Sequence, residues 1–130
     1  MHDLKPLDIL SRFLFHKKHI NRDKGVVNTS VFTEKHPKGF SVFNITSLPE
    51  LKIWCIAEEY VVPYYSQLLL GRCELETQYY EQAHLTIEKS EPPPKHYNIH
   101  GMPVGTDYEE AKKLSLRQMM VSKSKLILKI

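Results

Sequence analysis

Phe40-Ser41-Val42-Phe43-Asn44-Ile45 sets Phe40, Val42 and Asn44 on one side of an extended chain and Ser41, Phe43 and Ile45 on the other. Successive side chains of a strand point to opposite faces, so both faces of this one carry apolar bulk. A strand of that kind belongs inside a sheet covered on both sides. The residues that follow supply one cover. Ser47 reads as an N-cap, with Pro49 and Glu50 in the first turn of a helix that runs to about Val62 and is stopped by Pro63. Leu51, Trp54, Cys55 and Glu58 share a face at helical spacing, and Ile53, Ile56 and Ala57 widen the apolar stripe. Trp54 is expected to pack on the sheet.

Working outward towards the N-terminus, Lys35-His36-Pro37-Lys38-Gly39 reads as a connecting loop and Val26 to Thr33 as a second strand. A first strand from Ile9 to Phe15 sets Ile9, Ser11, Phe13 and Phe15 against Leu10, Arg12 and Leu14, although a short helix also fits. Towards the C-terminus, Leu68 to Cys73 reads as another strand or the lead-in to a turn. Glu74 to Leu85 reads as a second helix with Leu75, Tyr79, Gln82 and Ala83 inward, and Thr86 to Lys89 as a short extended piece. A final helix capped by Thr106 or Asp107 reaches about Ser122, and Lys125 to Ile130 suits a last strand. The fold class is therefore α+β. One domain over residues 1–130 is expected, with a mixed or mostly antiparallel sheet of about five strands and two or three helices packed on it.

The chain has 130 residues, 42% hydrophobic and 25% charged, an ordinary globular balance that argues against disorder. The net charge of +3 is too weak to indicate nucleic acid strongly without gathering of the cations on one face. Cys55 and Cys73 lack CxxC spacing, which signals neither a zinc ribbon nor a disulfide framework. No signal peptide and no apolar run of membrane length is visible, so a soluble, cytoplasmic protein with no membrane association is expected. No phosphate-loop, nucleophile-elbow or zinc-protease motif occurs, and no cofactor is expected.

The most site-like stretch is Glu91-Pro92-Pro93-Pro94-Lys95-His96-Tyr97-Asn98-Ile99-His100-Gly101. Proline fixes φ and restrains the residue before it, so the segment is expected to reach Lys95 already extended, as a stiff approach or a linker. If the extended form continues, His96, Asn98 and His100 share one face and Tyr97 and Ile99 the other. The same pattern also fits a strand with one wet face. Gly101, Pro103 and Gly105 close the run. On a strand, His96 and His100 lie about 13 Å apart at a rise of ~3.3 Å per residue, too far to share an ion, so no metal site is expected. Arg12, between apolar neighbours, either snorkels or meets an anion, and an internal salt bridge is the preferred reading. Arg72, beside Gly71, suits an anion contact or an exposed turn. Cys73 has that cation nearby to favour a thiolate. His16-Lys17-Lys18-His19-Ile20-Asn21-Arg22-Asp23-Lys24-Gly25 is the most basic run and reads as a phosphate-facing loop or a solvated turn. It lacks interleaved aromatic residues, which weakens a nucleic-acid reading.

Ser11-Arg12-Phe13, Ser41-Val42-Phe43 and Pro93-Pro94-Lys95-His96-Tyr97-Asn98-Ile99-His100-Gly101 together resemble a pattern of small uncharacterised bacterial proteins. The resemblance spans most of the chain, implies no activity, and points to Arg12, His96 and Asn98. Arginine often stands in that pattern where Lys95 is here.

Two functional readings follow. The preferred one is a small accessory or binding module that docks a protein partner or a nucleotide-like ligand through the Pro92 to Gly101 region and nearby basic residues, since a preordered backbone loses less entropy on binding. The alternative is an enzyme directed at a nucleotide or phosphoester, with His96 and His100 exchanging protons near neutrality and Arg12 or Arg72 holding phosphate. The candidate binding residues are Arg12, Arg72, Lys95, His96, Asn98 and His100; no catalytic set is assigned.

Overall fold

The computed structural model describes residues 2–33, 39–102 and 107–129. The expected loop over 35–38, the expected cap at Thr106 and the closing residues Pro103 and Gly105 lie outside them. The strands are β1 (Ile9–Leu14), β2 (Ile20–Asn21), β3 (Val26–Val27), β4 (Phe40–Asn44), β5 (Gly71–Glu76), β6 (Thr86–Lys89), β7 (His96–His100) and β8 (Lys125–Leu128); the helices are α1 (Glu50–Tyr60), α2 (Thr77–Gln82) and α3 (Asp107–Lys123). Six strands form one antiparallel sheet in the order β6-β7-β4-β1-β5-β8, and β2 and β3 pair as a separate hairpin.

The alternation in β1 and β4 sorts the core. Leu10, Leu14, Phe40 and Val42 join Tyr80, Met120 and the 3₁₀ turn Thr29–Phe32 on the face covered by α2 and α3. Phe13, Phe15, Phe43 and Ile45 meet Ile53, Ile56 and Ala57 of α1 on the other. Both faces of β4 are thus covered, as its sequence requires. Among the described residues no helix is long and apolar enough to cross a membrane.

Several local expectations are corrected. The extended run expected from Val26 to Thr33 ends at Val27 and turns into the 3₁₀ segment. Ser47 is not the cap of α1: it sits at φ 63° and Pro49 precedes the helix without a side-chain cap bond. Leu51 and Cys55 are exposed, so the buried stripe of α1 is Ile53, Ile56 and Ala57. Glu74 to Glu76 belong to β5, where ladder pairing with β1, and for Glu74 also with β8, overrides their helical preference. α2 starts at Thr77, whose backbone N–H and hydroxyl both donate to the Asp8 carbonyl, at 2.8 and 3.0 Å. The prolines do not form an extended approach; they lie in the turn that folds β7 back on β6. That turn is closed by Ser90 N–H to the His96 carbonyl at 2.9 Å and by Lys95 N–H to Glu91 Oε2 at 3.1 Å.

Candidate functional site

β1 stays registered with β5 from Ile9↔Glu76 to Leu14↔Gly71, whereas its register with β4 covers only Leu10↔Asn44 and Ser11↔Phe43. The seam between β1 and β4 opens beyond Ser11, and a cleft of about 290 Å³ occupies the gap. Arg12, Phe13 and Phe15 line it from the β1 side, and Gly39, Phe40, Ser41 and Phe43 from the β4 side. The lining is completed by His16, His19 and Thr33 and by Val61 and Tyr65 beyond the end of α1. Phe15 and Tyr65 stack at 4.0 Å with rings 3° from parallel, and His16 and His19 meet edge to face at 5.2 Å.

Arg12 is the charge in this cleft. It shares the face of Leu10 and Leu14, its guanidinium lies 4.8 Å from the centre of the Phe40 ring, and it donates to the Val31 carbonyl. Among the described residues no carboxylate pairs with it, which corrects the expected internal salt bridge. Burial lowers its pKa, because the solvation it loses outweighs its interactions with Tyr80, Tyr65 and Cys73. One carbonyl and one ring leave most of a five-donor group unused.

Arg72 is the opposite case. Its Nη1 and Nη2 donate to Glu50 Oε2 and Oε1, each at 2.7 Å, and its Nε to Glu74 Oε2 at 2.8 Å. Trp54 stands 4.7 Å from its guanidinium, and the side chain is 3% exposed. Burial works against the charge, but the bonds to Glu50 and Glu74 outweigh it and raise the pKa. Arg72 ties α1 to the sheet with its donors consumed internally. Glu50 has its pKa lowered from 4.5, chiefly by the bond from Arg72. A carboxylate depressed in the folded state contributes stability above its unfolded pKa and loses it as pH falls through the lower folded value. The melting temperature should therefore fall as pH drops below about 4.5, and Glu50→Gln should flatten that limb when melts are recorded from neutrality down to acid. An unchanged slope in the variant would show that the pair carries none of the acid sensitivity.

His96, Asn98 and His100 do share one face of β7, as their alternation requires, opposite the face of Arg12. His96 Nδ1 donates to the Ser90 carbonyl at 2.7 Å, which leaves Nε2 as the acceptor, and its ring lies 5.1 Å from Phe43. His96 thus backs the wall of the cleft without lining it. His100 lies 3.7 Å from Glu88. Lys95 is exposed in the turn at φ 65°. Of the six expected binding residues only Arg12 enters the cleft, and the two arginines do not converge. Burial pushes the Cys73 thiol up to about 12, against the thiolate that a nearby cation could favour. No group of three or more His, Cys, Asp or Glu among the described residues could hold a metal ion.

The residues missed by sequence reasoning are the rings. Phe13, Phe15, Phe40, Phe43 and Tyr65 come from three separated segments, and only the proximity of the His16–Gly25 run to the end of β1 hinted that charge and aromatic surface would meet. Comparisons with family models, curated protein sequences and solved structures found no match.

Proposed function

We propose that this chain is a binding module for a nucleotide-like ligand seated in the cleft between β1 and β4. The observation that carries the reading is Arg12, a part-buried guanidinium with no carboxylate partner among the described residues, lining a cavity walled by aromatic rings. Partial burial of a cation without a counter-charge is unfavourable, and an incoming anion offsets that cost. Phosphate or carboxylate geometry suits the guanidinium fork. The rings suit a flat heterocycle, and 290 Å³ is at the small end of ligand sites, the scale of a mononucleotide. His96 and His100 sit across the sheet from Arg12 and add nothing to a shared reaction centre with it, so binding is preferred over phosphoester chemistry.

The test is a thermal-shift series with a nucleoside monophosphate, the matching nucleoside and inorganic phosphate. A ligand at ten times its Kd adds about 1.4 kcal/mol, which for a domain of this size raises the midpoint by ~5 °C. The monophosphate is expected to give that rise, with much smaller effects from either half alone. Flat melts with all three at millimolar concentration would overturn the reading.

A further inference from the structure

The most basic run of the chain stands at the rim of this cleft. Lys17 and Lys18 are exposed on the 3₁₀ turn Lys17–His19, between His16 and His19, which both line the cavity. The hairpin β2–β3 follows at once and carries Arg22 and Lys24 exposed at its tip, with Asp23 between them. None of these four cations joins an ion pair among the described residues. Their backbone is fixed relative to Arg12 by one short segment. Asn28 Nδ2 and Ser30 Oγ donate to the Lys18 carbonyl at 2.7 and 3.2 Å, and Val31, the next residue, offers its carbonyl to Arg12. The His19 carbonyl accepts from Asn28 N–H at 2.9 Å.

We infer that the nucleotide in the cleft is one unit of a single-stranded nucleic acid, whose neighbouring phosphates run over Lys17, Lys18, Arg22 and Lys24. The inference deepens the nucleotide reading and rests on it. Sequence-tolerant binding of single strands combines a cationic track for the backbone with rings on which a base stacks. The primary sequence separates these two features, and the fold joins them at the opened seam. A duplex keeps its bases stacked and paired and has none to lay in the cavity; an acidic peptide matches the cations and leaves the rings unused.

The experiment is fluorescence anisotropy with a labelled ten-nucleotide oligouridylate at 50 and 200 mM salt, beside a titration with uridine monophosphate. The oligonucleotide should bind at least tenfold tighter than the mononucleotide. With Arg12 and the four rim cations engaged, a salt slope near −0.7 per phosphate neutralised predicts roughly a hundredfold loss of affinity between those salts. Replacing all four exposed cations (K17Q, K18Q, R22Q, K24Q) should bring the oligonucleotide down to the affinity of the mononucleotide, with mononucleotide binding and the melting temperature unchanged. An oligonucleotide that binds no tighter than the mononucleotide overturns the inference and leaves the cleft reading standing; absence of binding by either overturns both. Equal binding of a duplex of the same length, or of an acidic decapeptide, also overturns it.

Discussion

Gly39→Ala is expected to destabilise the protein by about 4 kcal/mol or more, enough to consume much of the stability of an ordinary domain. Gly39 has φ 79°, where an L side chain is strained by ~1 kcal/mol. The larger part is steric. A Cβ built there falls 1.7 Å from the Ile99 carbonyl oxygen, 2.6 Å from its carbon and 2.9 Å from His100 Cβ. Two of those atoms are backbone of β7, which is held between β4 and β6 and cannot yield without breaking a ladder. Gly25→Ala is the control: φ is 66°, yet nothing lies within 4 Å of the added carbon, so it should cost only the conformational term, about 1 kcal/mol. Urea melts of the two variants separate the contributions. Equal losses would show that β7 approaches Gly39 less closely than described here.

Arg12→Met is expected to leave stability unchanged or raise it by up to ~2 kcal/mol, while weakening ligand binding by roughly thirtyfold or more. Methionine keeps an unbranched apolar stem against Phe40 and removes from a part-buried site a charge that no carboxylate among the described residues pairs. The loss is the bond to the Val31 carbonyl, worth about 1 kcal/mol. A residue retained at a cost to stability is the mark of a site, whereas a structural arginine behaves as Arg72 should. Arg72→Met strands Glu74, 14% exposed, without its guanidinium partner and frees α1 from its tie to Glu50, with an expected loss of about 3 kcal/mol. The contrast between the two arginines in paired denaturant melts is the readout; a loss of 2 kcal/mol or more in Arg12→Met would make it a structural residue too.

Alternation made much of the sheet legible. The split of β1 into Leu10, Arg12, Leu14 against Ser11, Phe13, Phe15, and the double-sided β4, follow from a period of two, and the final helix and strand stand close to where their patterns end. The failures share a cause. Glu74-Leu75-Glu76 is locally helix-prone, yet all three pair with β1, and Glu74 with β8 as well, which claims them for β5, and Thr77 begins α2 because Asp8, far away in sequence, receives its N–H. The partners of the arginines were equally hidden. Arg72 finds Glu50 across the chain, and among the described residues Arg12 finds only a carbonyl and a ring, a difference that no local spacing records. The cleft was illegible for the same reason, since it exists only where two strands part.

The most direct test is a calorimetric titration of a nucleoside monophosphate into the wild-type protein and into Arg12→Met, each first shown folded by its melt. One-to-one binding to the wild type with a Kd on the order of 100 µM or tighter, lost or weakened at least thirtyfold in a variant of equal or greater stability, is the predicted result. Equal affinity in the two proteins, or no heat of binding to the wild type, would contradict the account of the cleft.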